Sequence, residues 1–118
     1  MCQIGRVPLN EILLEAARYF HAQKGYLANL FSNTSGYESF ERNMAEIHYE
    51  RLKSSILGMT NSKELDRKTE TYVRLYCMGT VRLTCEWILG RFSLSPDELA
   101  EVYLNSLPLP LRRYLCPE

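Results

Sequence analysis

The chain has 118 residues, of which 46% are hydrophobic and 24% charged, so it is long enough for one buried core and too apolar for a disordered segment. Fourteen Lys and Arg balance fourteen Asp and Glu, with six against six up to Met59 and eight against eight after it. Because a phosphate-binding surface needs an excess of positive charge, this balance argues against direct nucleic-acid binding by this chain.

The sequence shows no membrane-spanning or secretion signal, and this predicts both the compartment and the state of the cysteines. No apolar run approaches the roughly 20 residues of a membrane span, and the first ten residues lack the apolar segment of a secretion signal. We therefore expect a cytoplasmic protein with no membrane role. The cysteines, Cys2, Cys77, Cys85 and Cys116, form no C-x-x-C pair. In a reducing compartment this favours free thiols over disulfides or a zinc site.

Apolar spacing predicts helices along the first half of the chain. Residues 9–20 carry apolar side chains at i, i+3, i+4 and i+7, which is typical of an amphipathic helix. A second apolar cluster covers residues 26–31, and the breaker-rich segment 32–36 predicts a turn after it. Apolar residues return at steps of three to five from Tyr37, which predicts a further helix that ends near Gly58.

The next predicted helix is long and unusually apolar. Asn61 or Ser62 is expected to cap it, and it continues for about 27 residues, or roughly 40 Å, to Leu89. Between residues 72 and 88, apolar or small side chains cover most of the helix circumference. Such a helix must be covered on more than one side, either by its own chain or by a second one.

The most specific local signal lies near the C-terminus. Ser95 is placed as an N-cap, Pro96 as the first helical residue and Glu98 as the partner in a capping box. The helix that follows is expected to stop at Pro108, leaving a solvated basic tail with Arg112 and Arg113. No segment alternates as a half-buried strand does. The fold class is therefore predicted to be all-α, a bundle of about five helices in a single domain over residues 1–118.

Several of these features together resemble a known family. The aromatic segment 76–79, then Trp87, Gly90 and the sequence Ser-Pro-Asp-Glu-Leu-Ala at 95–100, is similar to the C-terminal regulatory domain of TetR-family transcription regulators. The likeness extends to residues 9–31 and so covers nearly the whole chain. The family's N-terminal helix-turn-helix domain has no counterpart here. We expect either a fragment of a longer regulator or a natural protein that lacks the DNA-binding domain.

The resemblance implies a homodimer, in which the last two long helices of each subunit form a four-helix bundle. The surplus apolar surface of the long helix also favours a dimer, and its small residues would allow a second helix to approach closely. The alternative is a monomer whose central helix is wrapped by the other helices. The dimer interface candidates are Gly79, Leu83, Trp87, Leu99, Val102 and Tyr103.

The resemblance also implies a pocket for a small-molecule effector inside each subunit. Aromatic and polar side chains of the middle helices are the candidates for its lining, although an aromatic stripe at helical spacing is more often simply core. The candidates are Tyr26, Phe31, Tyr37, Phe40, Met44, His48, Tyr72, Tyr76 and Thr80.

The sequence offers little that indicates catalysis. The two histidines, His21 and His48, lie in no metal-binding motif, and the glycines are isolated, so no metal, cofactor or phosphate loop is predicted. We therefore expect no enzyme. The predicted function is the ligand-responsive dimerisation domain of a bacterial TetR-family regulator, which signals to a separate DNA-binding domain. The alternative is a stand-alone helical module for protein–protein interaction with no DNA-binding role.

Overall fold

The computed structural model describes residues 2–4, 7–32 and 36–116. The molecule measures 42 × 27 × 20 Å, and helices make up nearly all of its regular structure, which confirms the all-α prediction. Across the described residues the helices are α1 Leu9–Ala22, α2 Lys24–Phe31, α3 Gly36–Thr60, α4 Arg67–Ile88, α5 Pro96–Asn105 and α6 Leu109–Leu115. Two short antiparallel strands of two residues each, β1 Gln3–Ile4 and β2 Val7–Pro8, precede α1.

The ends of α4 and α5 follow from local chemistry. Ser95 accepts from the Glu98 backbone N–H at 3.1 Å, and Glu98 accepts from the Ser95 N–H at 2.9 Å, so the predicted capping box is confirmed. Helix α4 ends where Gly90 takes a φ of +79°. There the Gly90 N–H donates to Trp87 and the Arg91 N–H to Glu86, which is a Schellman motif.

The start of α4 differs from the prediction. Asn61 takes a left-handed φ of 54° just after α3 ends at Thr60, so it terminates one helix instead of capping the next. The cap of α4 is Asp66, whose side chain accepts from the Thr69 backbone N–H at 2.7 Å. The helix therefore has 22 residues, and the assignment of the cap to Asn61 or Ser62 was wrong.

The C-terminal segment is helical, and its prediction as a solvated tail was also wrong. Leu111 and Leu115 of α6 are completely buried. Arg112 donates to the backbone carbonyls of Leu104 at 3.2 Å and Leu107 at 3.3 Å, which satisfies groups at and just beyond the C-terminal end of α5. Pro108 and Pro110 start this helix, because proline is tolerated before and within a first helical turn.

Helix α4 lies at the centre of the packing. Helix α3 packs along it, α6 contacts both α3 and α4, and α1 packs against α5. One face of α4 is buried in this core, while Leu75 and Met78 on its solvent-facing side are 65% and 61% exposed. The described helices include none of the length and apolar character that crossing a membrane requires.

The cysteines divide into two kinds. Cys77 and Cys85 of α4 are free and buried, as predicted. Cys2 and Cys116 form a disulfide, so the preference for free thiols was wrong for this pair. Motif spacing could not reveal the bond, because the fold brings the residue before β1 and the residue after α6 together from opposite ends of the sequence.

Candidate functional site

A cavity opens between four helices of the bundle. Its volume is about 110 Å³, and α1, α3, α4 and α5 all contribute to its walls. Most of the lining is apolar, with a few polar side chains, which is the usual composition of a small-molecule site. The lining residues are Ile12, Leu13, Ala16, Ala17, Phe20, Phe40, Met44, Ile47, His48, Arg51, Thr80, Val81, Thr84, Leu99 and Tyr103.

Three hydroxyl-bearing side chains form the inner wall. The Tyr103 hydroxyl lies 2.6 Å from the Thr84 hydroxyl and 3.0 Å from the Thr80 carbonyl oxygen, and Thr84 donates to the same carbonyl at 2.7 Å. The Thr80 hydroxyl donates to the Tyr76 carbonyl at 2.8 Å. These buried groups therefore find partners within the protein, and Tyr103 of α5 is fixed to α4.

His48 of α3 provides a different kind of polar group. Its ring centroid lies 6.0 Å from that of Tyr76. Burial and, to a smaller extent, the positive charge of Arg51 together lower the pKa of His48 to about 4. The imidazole is therefore neutral at pH 7, so that one ring nitrogen can donate and the other can accept a hydrogen bond.

Arg51 is the charged residue of the lining. It lies one turn after His48 on α3 and is exposed, as are Ala16 and Ile47. These three residues thus mark the side on which the cavity meets solvent. No acidic side chain lines the cavity, and Arg51 makes no ion pair with any residue in the described ranges. The mouth of the cavity therefore carries positive charge.

The structure brings four of the nine pocket candidates together at this cavity. Phe40, Met44 and His48 follow one face of α3, and Thr80 faces them from α4. Tyr76 contacts His48 but directs its hydroxyl to the Tyr103 carbonyl at 2.7 Å, and it lines a groove on an adjoining face of α4.

The other four pocket candidates lie elsewhere. Phe31 is buried behind Phe40, with ring centroids 5.0 Å apart. Tyr37 borders a surface groove with Arg82, and its buried hydroxyl has no hydrogen-bond partner among the described residues. Tyr26 is exposed, and Tyr72 is half-buried outside the lining.

Sequence reasoning missed the contribution of α1 and α5. Leu13 and Ala17 of α1 were recognised as one buried face, but nothing in their spacing shows which helix that face meets. Leu99 and Tyr103 lie four residues apart on α5, and the same uncertainty led to their placement in the dimer interface. The mixture of hydroxyl groups with apolar residues on α4, at Thr80 and Thr84, was the signal that could have indicated a cavity.

A second feature lies on an adjoining face of α4, since Thr80 and Tyr103 line both it and the cavity. A shallow groove of about 300 Å³ runs between the exposed sides of α4 and α5. Its lining includes Leu75, Gly79, Leu83 and Val102, and Leu83 and Val102 are 38% and 41% exposed. Three of the interface candidates, Gly79, Leu83 and Val102, therefore share one exposed apolar surface, which we call the outer face.

The remaining interface candidates are interior residues. Trp87 and Leu99 are buried within the chain, and Leu99 lines the cavity instead. Tyr103 is also buried but lies between the two features, because it lines both the cavity and the groove.

The described residues show no activated nucleophile among the cysteines. Burial raises the pKa of the Cys77 and Cys85 thiols to about 12, so both are protonated and unreactive at neutral pH. Burial likewise raises the pKa of Tyr103 to about 12. In the described part of the chain, no three His, Cys, Asp or Glu residues cluster as metal ligands would.

Comparison with known proteins identifies the family. Neither the curated proteins nor the solved structures include a match to the chain. The TetR C-terminal family described as "Transcriptional regulator C-terminal region" matches residues 9–107, a range that runs from the first residue of α1 to the turn after α5 and contains the cavity and the outer face. The chain belongs to this family of transcriptional regulator C-terminal regions.

Proposed function

We propose that residues 1–118 form one regulatory domain of a TetR-family transcription regulator, which dimerises and responds to a small-molecule effector. In this proposal the domain acts in the cytoplasm, where the reducing environment would keep Cys2 and Cys116 as thiols. It has no catalytic step and no cofactor, and it signals to a separate helix-turn-helix domain that contacts DNA. One observation carries the proposal. Helix α4 lines the cavity with Thr80, Val81 and Thr84 and presents Gly79 and Leu83 to the outside.

The outer face has the character of a helix–helix interface. Leu75, Gly79 and Leu83 lie four residues apart and so form one stripe along α4. A Cβ added at Gly79 would meet no atom within 4 Å, so the backbone there is open to close approach by another helix. Contiguous exposed apolar surface is typical of interaction sites. A second copy of this chain supplies the matching surface in a two-fold arrangement.

The shared helix couples the two features. An occupant of the cavity contacts α4 and Tyr103, and any shift of α4 moves the residues of the outer face with it. An effector changes the arrangement of the dimer only by binding one arrangement more tightly than the other. Hydrogen bonds among Thr80, Thr84 and Tyr103 link α4 to α5. The two helices therefore move together.

Analytical ultracentrifugation at micromolar concentration tests the dimer. We expect the wild-type chain to sediment as a dimer and the Leu83→Glu variant as a monomer, because a charge on the outer face would be buried without a partner. Leu109→Glu is the matched control, since Leu109 is 79% exposed on α6 and lies outside the groove. A monomeric wild-type chain, or a Leu83→Glu variant that still dimerises, would refute this interface.

A further inference from the structure

We propose that the cavity binds a small apolar monocarboxylate, with its hydrocarbon body between α1, α3, α4 and α5 and its carboxylate at Arg51. This inference rests on the proposed function, because it assigns a chemical class to the effector of the same cavity. It is carried by the charge at the mouth, the size and apolar character of the interior, and the hydrogen-bonding capacity of His48.

The charge of the lining selects an anion. Arg51 is the single charged residue of the wall, at the side where Ala16 and Ile47 are exposed. A guanidinium group binds a carboxylate through paired, charge-assisted hydrogen bonds. An amine would meet the same positive charge and would find no acidic side chain in the lining.

The interior limits the size of the apolar part. A cavity of about 150 Å³ lined by aliphatic and aromatic side chains is known to hold benzene. The volume of about 110 Å³ found here therefore fits a body of about six carbons or fewer. Leu13, Phe20 and Val81 are among the apolar side chains that would cover it. A second carboxylate on this body would lie in the apolar interior, where the lining offers no further cationic side chain, so the class is restricted to monocarboxylates.

His48 lies where the carboxylate would enter. It is one helical turn before Arg51 on α3, and both line the cavity. The neutral imidazole donates one N–H, which a carboxylate oxygen can accept. Tyr103 is the other titratable group of the lining, and neither α1 nor α4 contributes a charged residue to it. A bound anion would therefore raise the pKa of His48 from about 4 toward its ordinary value.

Titration of the full chain with matched ligands tests the assignment. The probes are benzoate and hexanoate, the neutral alcohols benzyl alcohol and hexan-1-ol, and the cation benzylamine, each followed by calorimetry and by amide NMR shifts at Val81 and Thr84. We expect the carboxylates to bind at least about tenfold more tightly than the alcohols. This factor is at the lower end of the effect of a charge-assisted hydrogen bond, because the bond lies near solvent. Benzylamine should bind most weakly.

Two variants test whether Arg51 causes the preference for carboxylates over alcohols. In Arg51→Gln the preference for carboxylate over alcohol should disappear while alcohol binding is kept. The matched control is Arg42→Gln, because Arg42 is also exposed on α3 but lies outside the cavity, and it should keep the preference. Binding of benzoate, but not of benzyl alcohol, should raise the pKa of His48 in the NMR titration of its ring proton.

The outcomes separate this inference from the proposed function. Alcohols that bind at Val81 and Thr84 as tightly as the carboxylates, or a preference that survives in Arg51→Gln, would overturn the carboxylate assignment and leave the cavity as an effector site. A His48 pKa that benzoate does not change would also overturn it. If no probe of any charge perturbs Val81 and Thr84, both the carboxylate assignment and the effector role of the cavity fail.

Discussion

Acidification is expected to destabilise the protein through His48. The pKa of this histidine is about 4 in the folded chain, compared with about 6.5 in an unfolded one. Well above pH 6.5 the side chain is neutral in both states, and its contribution to stability is complete. As the pH falls from 6.5 to 4, the unfolded chain takes up a proton that the folded chain does not, so the free energy of unfolding decreases.

The magnitude follows from the difference between the two pKa values. Each unit corresponds to about 1.4 kcal/mol, so a fall from 6.5 to about 4 gives at most about 3.5 kcal/mol. His48 is only half-buried, and solvent at the mouth of the cavity reduces the penalty for its charged form. We therefore expect a loss of about 1 to 3 kcal/mol between pH 7 and pH 4.

Urea unfolding followed by circular dichroism measures this loss. The wild-type chain is compared with His48→Gln, which cannot titrate, so that the carboxylates of the protein contribute equally to both. The stability difference between the two proteins should change by about 1 to 3 kcal/mol between pH 7 and pH 4 and be constant above pH 7. A difference that does not depend on pH would refute the idea that burial depresses the pKa of His48.

Four further changes have expected outcomes. Reduction of the Cys2–Cys116 disulfide should lower the free energy of unfolding by up to about 5 kcal/mol, because it opens a loop spanning 114 positions; equal urea midpoints with and without reductant would contradict this. Gly90→Ala should destabilise by about 1 kcal/mol, since alanine is strained at a φ of +79°, whereas Gly58→Ala inside α3 should stabilise by a similar amount. Tyr103→Phe should cost about 1 kcal/mol in thermal or urea unfolding, because its hydroxyl bonds to α4 are lost.

Signals that depend on neighbouring residues could be predicted from the sequence. The capping box at Ser95 and Glu98 needs only a four-residue pattern, and it was predicted correctly. Asn61 shows the limit of such signals, because asparagine suits both a helix start and a left-handed helix end. The structure resolves the choice through Asp66, five residues later, whose side chain accepts from the Thr69 backbone N–H.

Features that depend on how helices meet could not be predicted. The face of α3 with Phe40, Met44 and His48 was recognised as one possible wall of a pocket, and the structure places these residues at the cavity. The opposite wall, with Ala17 of α1 and Tyr103 of α5, required knowledge of the docking between α1 and α5. The same long-range information was missing for α6, whose burial depends on a surface that α3 and α4 form together.

The position of Trp87 gives the protein an internal optical reporter. This residue is the sole tryptophan of the chain; its indole N–H donates to the Leu94 carbonyl at 2.9 Å, and its ring stacks on His21 of α1 with centroids 5.7 Å apart. The fluorophore thus touches α1, the end of α4 and the connection to α5 at once. Any change in the spacing of α1 and α4 would alter its emission, so movement within the bundle can be followed without an attached dye.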